Sequence, residues 1–247
     1  MGWYKKATIP QEMDKRDKKD ILSKIKNIIE PYLSVNGKES NKFIELKNKT
    51  LTDKGYLLVL KIGTYKIYNL PNSRSIQDNI DLNIYFNFRF SDKIDSNLWR
   101  IGASYTHSQK TISLQMNFSN EESPDINHLW DIMEEIEISL DHEFSHFINI
   151  IKRPGQEEKA NEIIGREENM TQTQYARLPV EWDANISSIV HLYNRLKNKN
   201  QEPKTLKELV DISGPFFKPA IEKSRKWQIL LSKRLAREGV VIRELGY

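Results

Sequence analysis

The sequence predicts an α+β protein in which an N-terminal helix is followed by a strand-rich part and then by a series of longer helices. Two observations carry this prediction: apolar and polar residues alternate with a period of two through much of residues 50–120, and the period becomes 3.6 after residue 125. No internal repeat or low-complexity linker interrupts the 247 residues. We therefore expect a single domain over 1–247, sheet-rich at about 50–120 and helical at about 125–247.

The N-terminal helix is predicted from about Asp17 to Leu33, because six aliphatic side chains in this stretch fall at helical spacing. Pro31 lies near its end and is expected to disturb the last turn, since proline cannot donate a backbone hydrogen bond.

Five segments are predicted to be strands. The alternation is clearest in 81–90 and 110–118, where large apolar side chains occupy every second position. The short connection 106–109 makes the last two strands a candidate hairpin. The predicted strands are 56–62, 64–70 (after Gly63), 81–90, 98–105 and 110–118.

Helices are predicted after residue 125. The first is long and has Asp125 or Ser123 as its N-cap and Pro154-Gly155 at its end. The second has Pro179 in the first-turn position that proline favours. The predicted helices are 126–151, a short one within the polar stretch 156–174, and then 179–197, 203–212 and 219–238.

The composition of the chain bears on its cellular compartment and on the residues that could bind a metal ion. No apolar run approaches the length of a membrane span, so no membrane partner is expected. The N-terminus lacks the apolar core of a secretory signal, and a cytoplasmic protein is expected. Cysteine is absent, so any metal ion must be held by His, Asp or Glu.

Basic residues cluster at both ends of a chain whose net charge is only +4. The first cluster alternates with aspartates, which favours a solvated helix face over nucleic-acid binding. The second is more one-sided, and nucleic-acid binding there remains an alternative. The clusters are Lys15, Arg16, Lys18 and Lys19, and Lys223, Arg225, Lys226, Lys233, Arg234 and Arg237.

Residues 142–146, His-Glu-Phe-Ser-His, form the most informative motif of the chain. Two histidines four residues apart on a helix point the same way, so their ring nitrogens can share one metal ion. Glu143 follows the first ligand and can reach a water on that ion. His142 and His146 share a helix face with Ser139 and Asn149, away from the densest apolar stripe.

A two-histidine site needs a third protein ligand, and the segment 178–185 at the start of the next long helix offers two. Glu181 lies 35 positions after His146, and Asp183 points about 200° away from Glu181 around the helix. A third interpretation is a plain solvated carboxylate, which the helix dipole favours near an N-terminus. His128, about four turns before His142, is too far away to be a ligand.

The pair His-Glu-x-x-His and Glu181-x-x-Ala184-Asn185 resembles the gluzincin class of zinc metallopeptidases, and is most similar to the ImmA/IrrE-type repressor-cleaving peptidases and small phage-encoded peptidases. The resemblance covers about residues 110–190. It implies a zincin-like fold, Zn²⁺ held by His142, His146 and Glu181, and support of a metal-bound histidine by Asn185. It also implies an edge strand before the active-site helix that binds extended substrate, for which Lys110–Phe118 has the right position.

The activity that the resemblance implies is peptide-bond hydrolysis by a zinc-activated water, with Glu143 as general base. A protein or peptide is then the substrate, and the compartment is the host cytoplasm if a phage encodes the chain. Two alternatives stay open: a non-catalytic interaction or phage assembly protein on a zincin scaffold, and a nucleic-acid-associated protein that uses the basic C-terminal helix. Candidate donors to the oxyanion are Tyr175, which immediately precedes the second motif, and His107, His191 and Tyr193.

Overall fold

The computed structural model describes residues 13–52, 58–70, 78–91, 99–119, 122–152, 155, 159, 170–213 and 217–246. The chain divides into two compact units, Met1–Phe147 and Ile148–Tyr247, which we call the sheet unit and the helical unit. Helices and a four-stranded mixed sheet confirm the α+β class. The organisation as one domain stays a prediction.

Helix α1 (Lys15–Ile29) opens the sheet unit. The carboxylate of Asp14 accepts hydrogen bonds from the backbone N–H groups of Arg16 and Asp17, which caps the helix start. Every fourth residue from Ile21 to Ile29 is fully buried. A 3₁₀ turn, Glu30–Tyr32, contains Pro31, so the predicted disturbance of the last turn is confirmed.

Helix α2 (Asn41–Thr52) has no counterpart among the predicted elements. It buries Phe43 and Leu46, while Ile44 between them is 39% exposed. Because few apolar residues of this short helix are buried, its amphipathic pattern is weak.

Four strands form the sheet: β1 (Leu58–Leu70), β2 (Asp78–Ser91), β3 (Trp99–Thr106) and β4 (Thr111–Ser119). Their order is β1-β2-β4-β3. Strands β1 and β2 pair antiparallel, β2 and β4 parallel, and β3 and β4 antiparallel. The predicted hairpin between the last two strands is confirmed.

Two of the strand predictions were wrong in detail. The segments predicted as separate strands on either side of Gly63 form one strand, β1, with a register shift between Lys61 and Gly63 (residues 56 and 57 lie outside the described part). A β-bulge absorbs the extra residue without ending the strand. A Cβ at Gly63 would lie 3.0 Å from the ring of Tyr65, so a larger residue here would require this ring to shift.

Strand β4 was predicted to be an edge strand, and this prediction was also wrong. It lies inside the sheet, between β2 and β3. Residues 112–118 are therefore bordered on both sides, and among the described strands the outer positions belong to β1 and β3. The parallel pairing of β2 with β4 causes the difference, because it moves the second strand of the hairpin inward.

The apolar face of the sheet carries the core of this unit. Phe118 on β4 contacts the rings of Phe43, Phe88 and Phe90 at centroid distances of 5.3–5.6 Å. The alternating side chains Leu82, Ile84 and Phe86 on β2 are fully buried. Helices therefore cover one face of the sheet, as the period of two predicted.

The long helix α3 (Leu129–Lys152) starts in the sheet unit, and the boundary between the units falls within it. A 3₁₀ turn, Ile126–His128, precedes α3, and the carboxylate of Asp125 accepts a hydrogen bond from the N–H of Asn127. Of the two predicted caps, Asp125 is the one used.

The helical unit contains five described helices after α3: α4 (Gln172–Ala176), α5 (Pro179–Asn198), α6 (Leu206–Ile212), α7 (Lys218–Ile221) and α8 (Arg225–Arg237). The predicted helices 179–197 and 203–212 correspond to α5 and α6. The short helix predicted within 156–174 lies mostly outside the described residues. Aliphatic side chains dominate the core of this unit: Ile186, Ile189, Leu206, Leu209, Val210, Ile221, Leu231 and Leu235.

The single helix predicted for 219–238 was wrong, because the backbone leaves the helical conformation at Ser224 and divides it into α7 and α8. The buried side-chain amide of Gln228 donates hydrogen bonds to the carbonyls of Ile221 and Glu222. These carbonyls lie at the end of α7, and the Ile221 carbonyl also accepts a hydrogen bond of 3.1 Å from the N–H of Ser224. Gln228 thus helps to satisfy the backbone at the break.

Among the described helices, none is long and apolar enough to cross a membrane.

Candidate metal centre

Helix α3 places His142 and His146 one turn apart in the sheet unit. Their Nε2 atoms lie 3.1 Å apart, and both residues are partly buried. Two nitrogens bound to one tetrahedral zinc at about 2.0–2.1 Å lie about 3.3 Å from each other. The two rings thus have nearly the separation that a shared zinc ion requires.

The histidines occupy the face of α3 that the sequence predicts. Ser139 and Asn149 on this face are partly buried, whereas Leu140 and Phe144 on other faces are almost fully buried. Burial of the apolar stripe fixes the rotation of the helix about its axis, and this keeps both imidazoles on the less buried side.

Glu143 is 7% exposed and is the one acidic residue that is buried among those described. It follows His142 directly, as the general base of a zinc peptidase follows its first ligand. The low exposure protects the carboxylate from bulk water, which suits a group that has to handle one particular proton.

Lys18 holds the segment immediately before the histidines. Its Nζ lies 2.7 Å from a carboxylate oxygen of Asp141 and 3.0 Å from one of Glu137. The Lys18 side chain is only 15% exposed. The prediction that the first basic cluster is a solvated face was therefore wrong for Lys18, because the residue ties α1 to α3.

Edge strand β3 accompanies α3 within the sheet unit. Trp99 packs on His128 at a centroid distance of 4.9 Å, and Tyr105 packs on Phe147 at 5.8 Å. The first contact lies in the turn before α3 and the second on α3 itself, so β3 runs in the same direction as this part of the chain. Strand β3, rather than the expected β4, is thus the edge strand beside the histidine helix.

Glu135 on α3 accepts a hydrogen bond from the backbone N–H of Ile101 on β3. Much of Glu135 is exposed, but its carboxylate lies against the strand. The partial loss of water around the carboxylate raises the pKa of Glu135 above its ordinary value of 4.5. The Asp131 carboxylate adds to the rise in pKa, and the hydrogen bond from Ile101 opposes it.

In the helical unit, Glu181 lies in the first turn of α5, where the helix dipole favours a carboxylate. The hydroxyl of Tyr175 donates a hydrogen bond of 2.7 Å to its Oε1. The side-chain amide of Asn185 donates one of 2.8 Å to the backbone carbonyl of Glu181. The structure thus brings together three of the sequence-predicted site residues here.

Aromatic side chains support the same turn. Trp182 contacts Trp227 of α8 at a centroid distance of 4.6 Å and Phe217 at 5.3 Å. The guanidinium of Arg177 lies 5.1 Å from the Trp227 ring and donates two hydrogen bonds to the carbonyl of Ala220. Trp182, the residue after Glu181, is therefore packed against the core of the helical unit.

Several other predicted candidates have local roles. The hydroxyl of Tyr193 is 3.4 Å from both the N–H and the carbonyl of Val241, and the residue is buried. His107 lies in the β3–β4 connection, next to the hydroxyl of Tyr105 at 3.2 Å. His191 and Asp183 are partly buried on α5.

Two features of the site could not be found in the sequence. Lys18 contacts a carboxylate 123 positions away, and no sequence pattern links the two. The hydrogen bond from Tyr175 to Glu181 spans a helix boundary, although the short separation of six positions was a weak signal.

Comparison of the chain with protein families, with curated proteins and with solved structures finds no match.

Proposed function

We propose that the chain is a zinc-dependent metallopeptidase of the zincin type, in which His142, His146 and Glu181 hold the metal ion. The observation that carries this proposal is the separation of 3.1 Å between the two histidine Nε2 atoms. Two imidazoles and one carboxylate would together form a donor set suited to a metal ion. Three protein ligands of this kind would leave a position on the ion open to water, as catalytic zinc sites require.

The chemistry of the donors supports zinc in particular. Imidazole and carboxylate are common ligands of catalytic zinc, and a set without cysteine is typical of peptidases. Calcium and magnesium prefer oxygen ligands, so two imidazoles disfavour both ions.

Bound zinc would lower the pKa of a coordinated water and polarise the peptide carbonyl. In the proposed reaction Glu143 accepts the proton of that water and delivers it to the leaving amine. Tyr175 orients the Glu181 carboxylate by its hydrogen bond of 2.7 Å. This contact supports a positioning role for Tyr175, and its role as oxyanion donor stays a prediction.

Asn185 has a second proposed role. Its amide nitrogen is engaged with the Glu181 carbonyl, which turns the side chain along the same helix face as Glu181. We propose that its amide oxygen accepts the N–H of a metal-bound histidine, because such outer partners fix the ring orientation of the ligand.

We propose that β3 is the strand that binds an extended substrate. A peptide adds to a sheet at an edge strand, and β3 is the edge strand that packs beside α3. The Glu135 carboxylate covers the N–H of Ile101, so a substrate strand would pair with the remaining part of β3 or displace this contact.

Metal content tests the first half of the proposal. We expect the purified full chain, stripped with a chelator and reloaded, to retain about one zinc per chain. The substitution His146→Ala should remove most of it, whereas His107→Ala, in the exposed strand connection, should retain it. Equal zinc retention in both variants would contradict the ligand assignment.

Hydrolysis tests the second half. Wild type and Glu143→Gln, both loaded with zinc, would be incubated with a diverse peptide library, and new termini would be identified by mass spectrometry. We expect cleavage by wild type alone, with a loss of at least about 100-fold in Glu143→Gln. Zinc binding without cleavage by either protein would favour the non-catalytic interaction protein instead.

A further inference from the structure

The outward face of α8 combines cations with exposed aliphatic side chains. Lys226, Ile229, Leu230, Lys233 and Arg237 follow one another at helical spacing, and they occupy an arc of about 100° on the helix. Ile229 is 39% exposed and Leu230 is 41% exposed. We call these five residues the α8 face.

Packing in the helical unit fixes this face outward. Leu231 and Leu235 are fully buried, and the Gln228 side chain is bound to the carbonyls that end α7. Trp227 is held between Trp182 and Arg177. The helix therefore cannot turn Ile229 and Leu230 inward without breaking its own core.

The charge of the α8 face is not neutralised within the part of the chain that the structure describes. Lys226, Lys233 and Arg237 are exposed and form no ion pair with another described residue. Arg234 differs, because it is partly buried and lies 3.3 Å from Glu238. Two further exposed cations, Lys223 and Arg225, lie at the start of the helix.

We propose that the α8 face is a docking surface for an acidic segment of a partner protein, with apolar side chains of that segment seated on Ile229 and Leu230. The face has the layout of a protein interface, in which a small apolar centre is bordered by charged residues. Carboxylates of the partner would pair with the surrounding lysines and arginine, which also steer the encounter.

Nucleic acid fits the centre of this face less well. Phosphates would meet the cations, but Ile229 and Leu230 offer neither hydrogen bonds nor aromatic rings for base contacts. A membrane surface also fits less well, because an interfacial helix inserts a broad apolar face. In α8 that face is already buried in the core, at Leu231 and Leu235.

The test measures binding of the zinc-loaded full chain to a fluorescein-labelled peptide in which two leucines are flanked on both sides by glutamates. The first variant, Ile229→Ser with Leu230→Ser, removes the apolar centre, and the second, Lys226→Glu with Lys233→Glu, reverses the charge. The matched control reverses two exposed lysines elsewhere, Lys42→Glu with Lys197→Glu. Far-ultraviolet circular dichroism and thermal midpoints verify that each variant is folded.

We expect saturable binding that weakens with salt and that falls about tenfold in each α8 variant, while the control changes it by less than about twofold. If the serine variant fails to fold, the proposal is judged by the charge-reversal variant and its matched control. Absence of saturable binding, or an equal loss in the control, would overturn the proposal. So would tighter binding of a DNA duplex or of phosphatidylserine vesicles that is unaffected by the serine substitutions. The experiment measures binding and not hydrolysis, so its result does not depend on whether the chain is a peptidase.

Discussion

In the sheet unit two candidate ligands are placed by one helix, whereas in the helical unit the candidate carboxylate depends on side chains from neighbouring elements. His142 and His146 are one turn apart, so the geometry of α3 alone brings their nitrogens within 3.1 Å. Glu181 is held by Tyr175 and by the packing of Trp182. The histidine pair was therefore predictable from spacing, and the environment of Glu181 was not.

The two units also differ in what supports the candidate residues. Large aromatic rings fill the core of the sheet unit, and Lys18 reaches α3 from a distant part of the sequence. The core of the helical unit is mainly aliphatic, with tryptophans beside Glu181. Apart from those at the two histidines, substitutions in the core of the sheet unit should thus act first on stability, and those that contact Glu181 first on metal affinity.

The largest effect is expected for Phe118→Ala. Phe118 is fully buried and contacts three phenylalanine rings, so its removal leaves a large cavity in the core. We expect the free energy of unfolding to fall by about 4 kcal/mol, measured by urea denaturation. Val59→Ala, at a position that is 51% exposed, is the control and should change it by less than about 0.5 kcal/mol. A loss below about 1 kcal/mol for Phe118→Ala would contradict the view that aromatic packing stabilises the sheet unit.

A smaller loss is expected for Lys18→Met, which leaves Glu137 and Asp141 without the cation that they share. Two like charges four residues apart then repel each other in a largely buried place, which should cost about 2 kcal/mol. The exposed neighbour gives the control, Lys19→Met. If both variants unfold at the same urea concentration, Lys18 does not support the histidine helix.

An effect on metal affinity rather than on stability is expected for Tyr175→Phe. The variant loses only the hydroxyl that donates to Glu181, and this should weaken zinc binding about fivefold, or by about 1 kcal/mol. Competition with a chromophoric chelator measures the change. Tyr105→Phe, which removes a hydroxyl next to His107, should leave zinc affinity unaltered. If Tyr175→Phe lowers the stability strongly but leaves the zinc affinity unchanged, Tyr175 supports the fold of the helical unit rather than the metal site.

The smallest effect is expected for Glu135→Gln. Because the folded-state pKa of Glu135 is raised above 4.5, ionisation opposes folding, and its cost is fully present only above the folded-state pKa. The variant should be more stable than wild type by about 0.5 kcal/mol at pH 7. The difference should shrink as the pH falls through the folded-state pKa and disappear below 4.5. Thermal unfolding across this range would contradict the assignment if the difference grew toward acid pH.

Sequence periodicity predicted those elements whose burial alternates regularly. Strands β2 and β4 and helix α3 each place large apolar residues at a constant interval, so their type and approximate bounds followed directly. Helix α2 has few buried apolar residues and was missed. The break between α7 and α8 depends on a hydrogen bond from the side chain of Gln228, which helical periodicity does not report.

Strand order could not be predicted for a different reason. The alternation in β4 fixes which residues face the core, but not which strand lies on either side. The parallel pairing of β2 with β4 placed β3 at the edge, and this changes which strand we propose for substrate binding. Lys18 was misjudged for the same reason, because its partners become neighbours only through the packing of α1.

The zinc affinity of Glu181→Gln, compared with that of Glu208→Gln, tests the central claim most directly. Both glutamates occupy the first turn of a helix, so both substitutions remove one negative charge from a comparable place. The claim predicts that Glu181→Gln weakens zinc binding at least about tenfold, while Glu208→Gln matches wild type. Equal zinc affinities for the two variants and wild type would contradict a site formed by His142, His146 and Glu181.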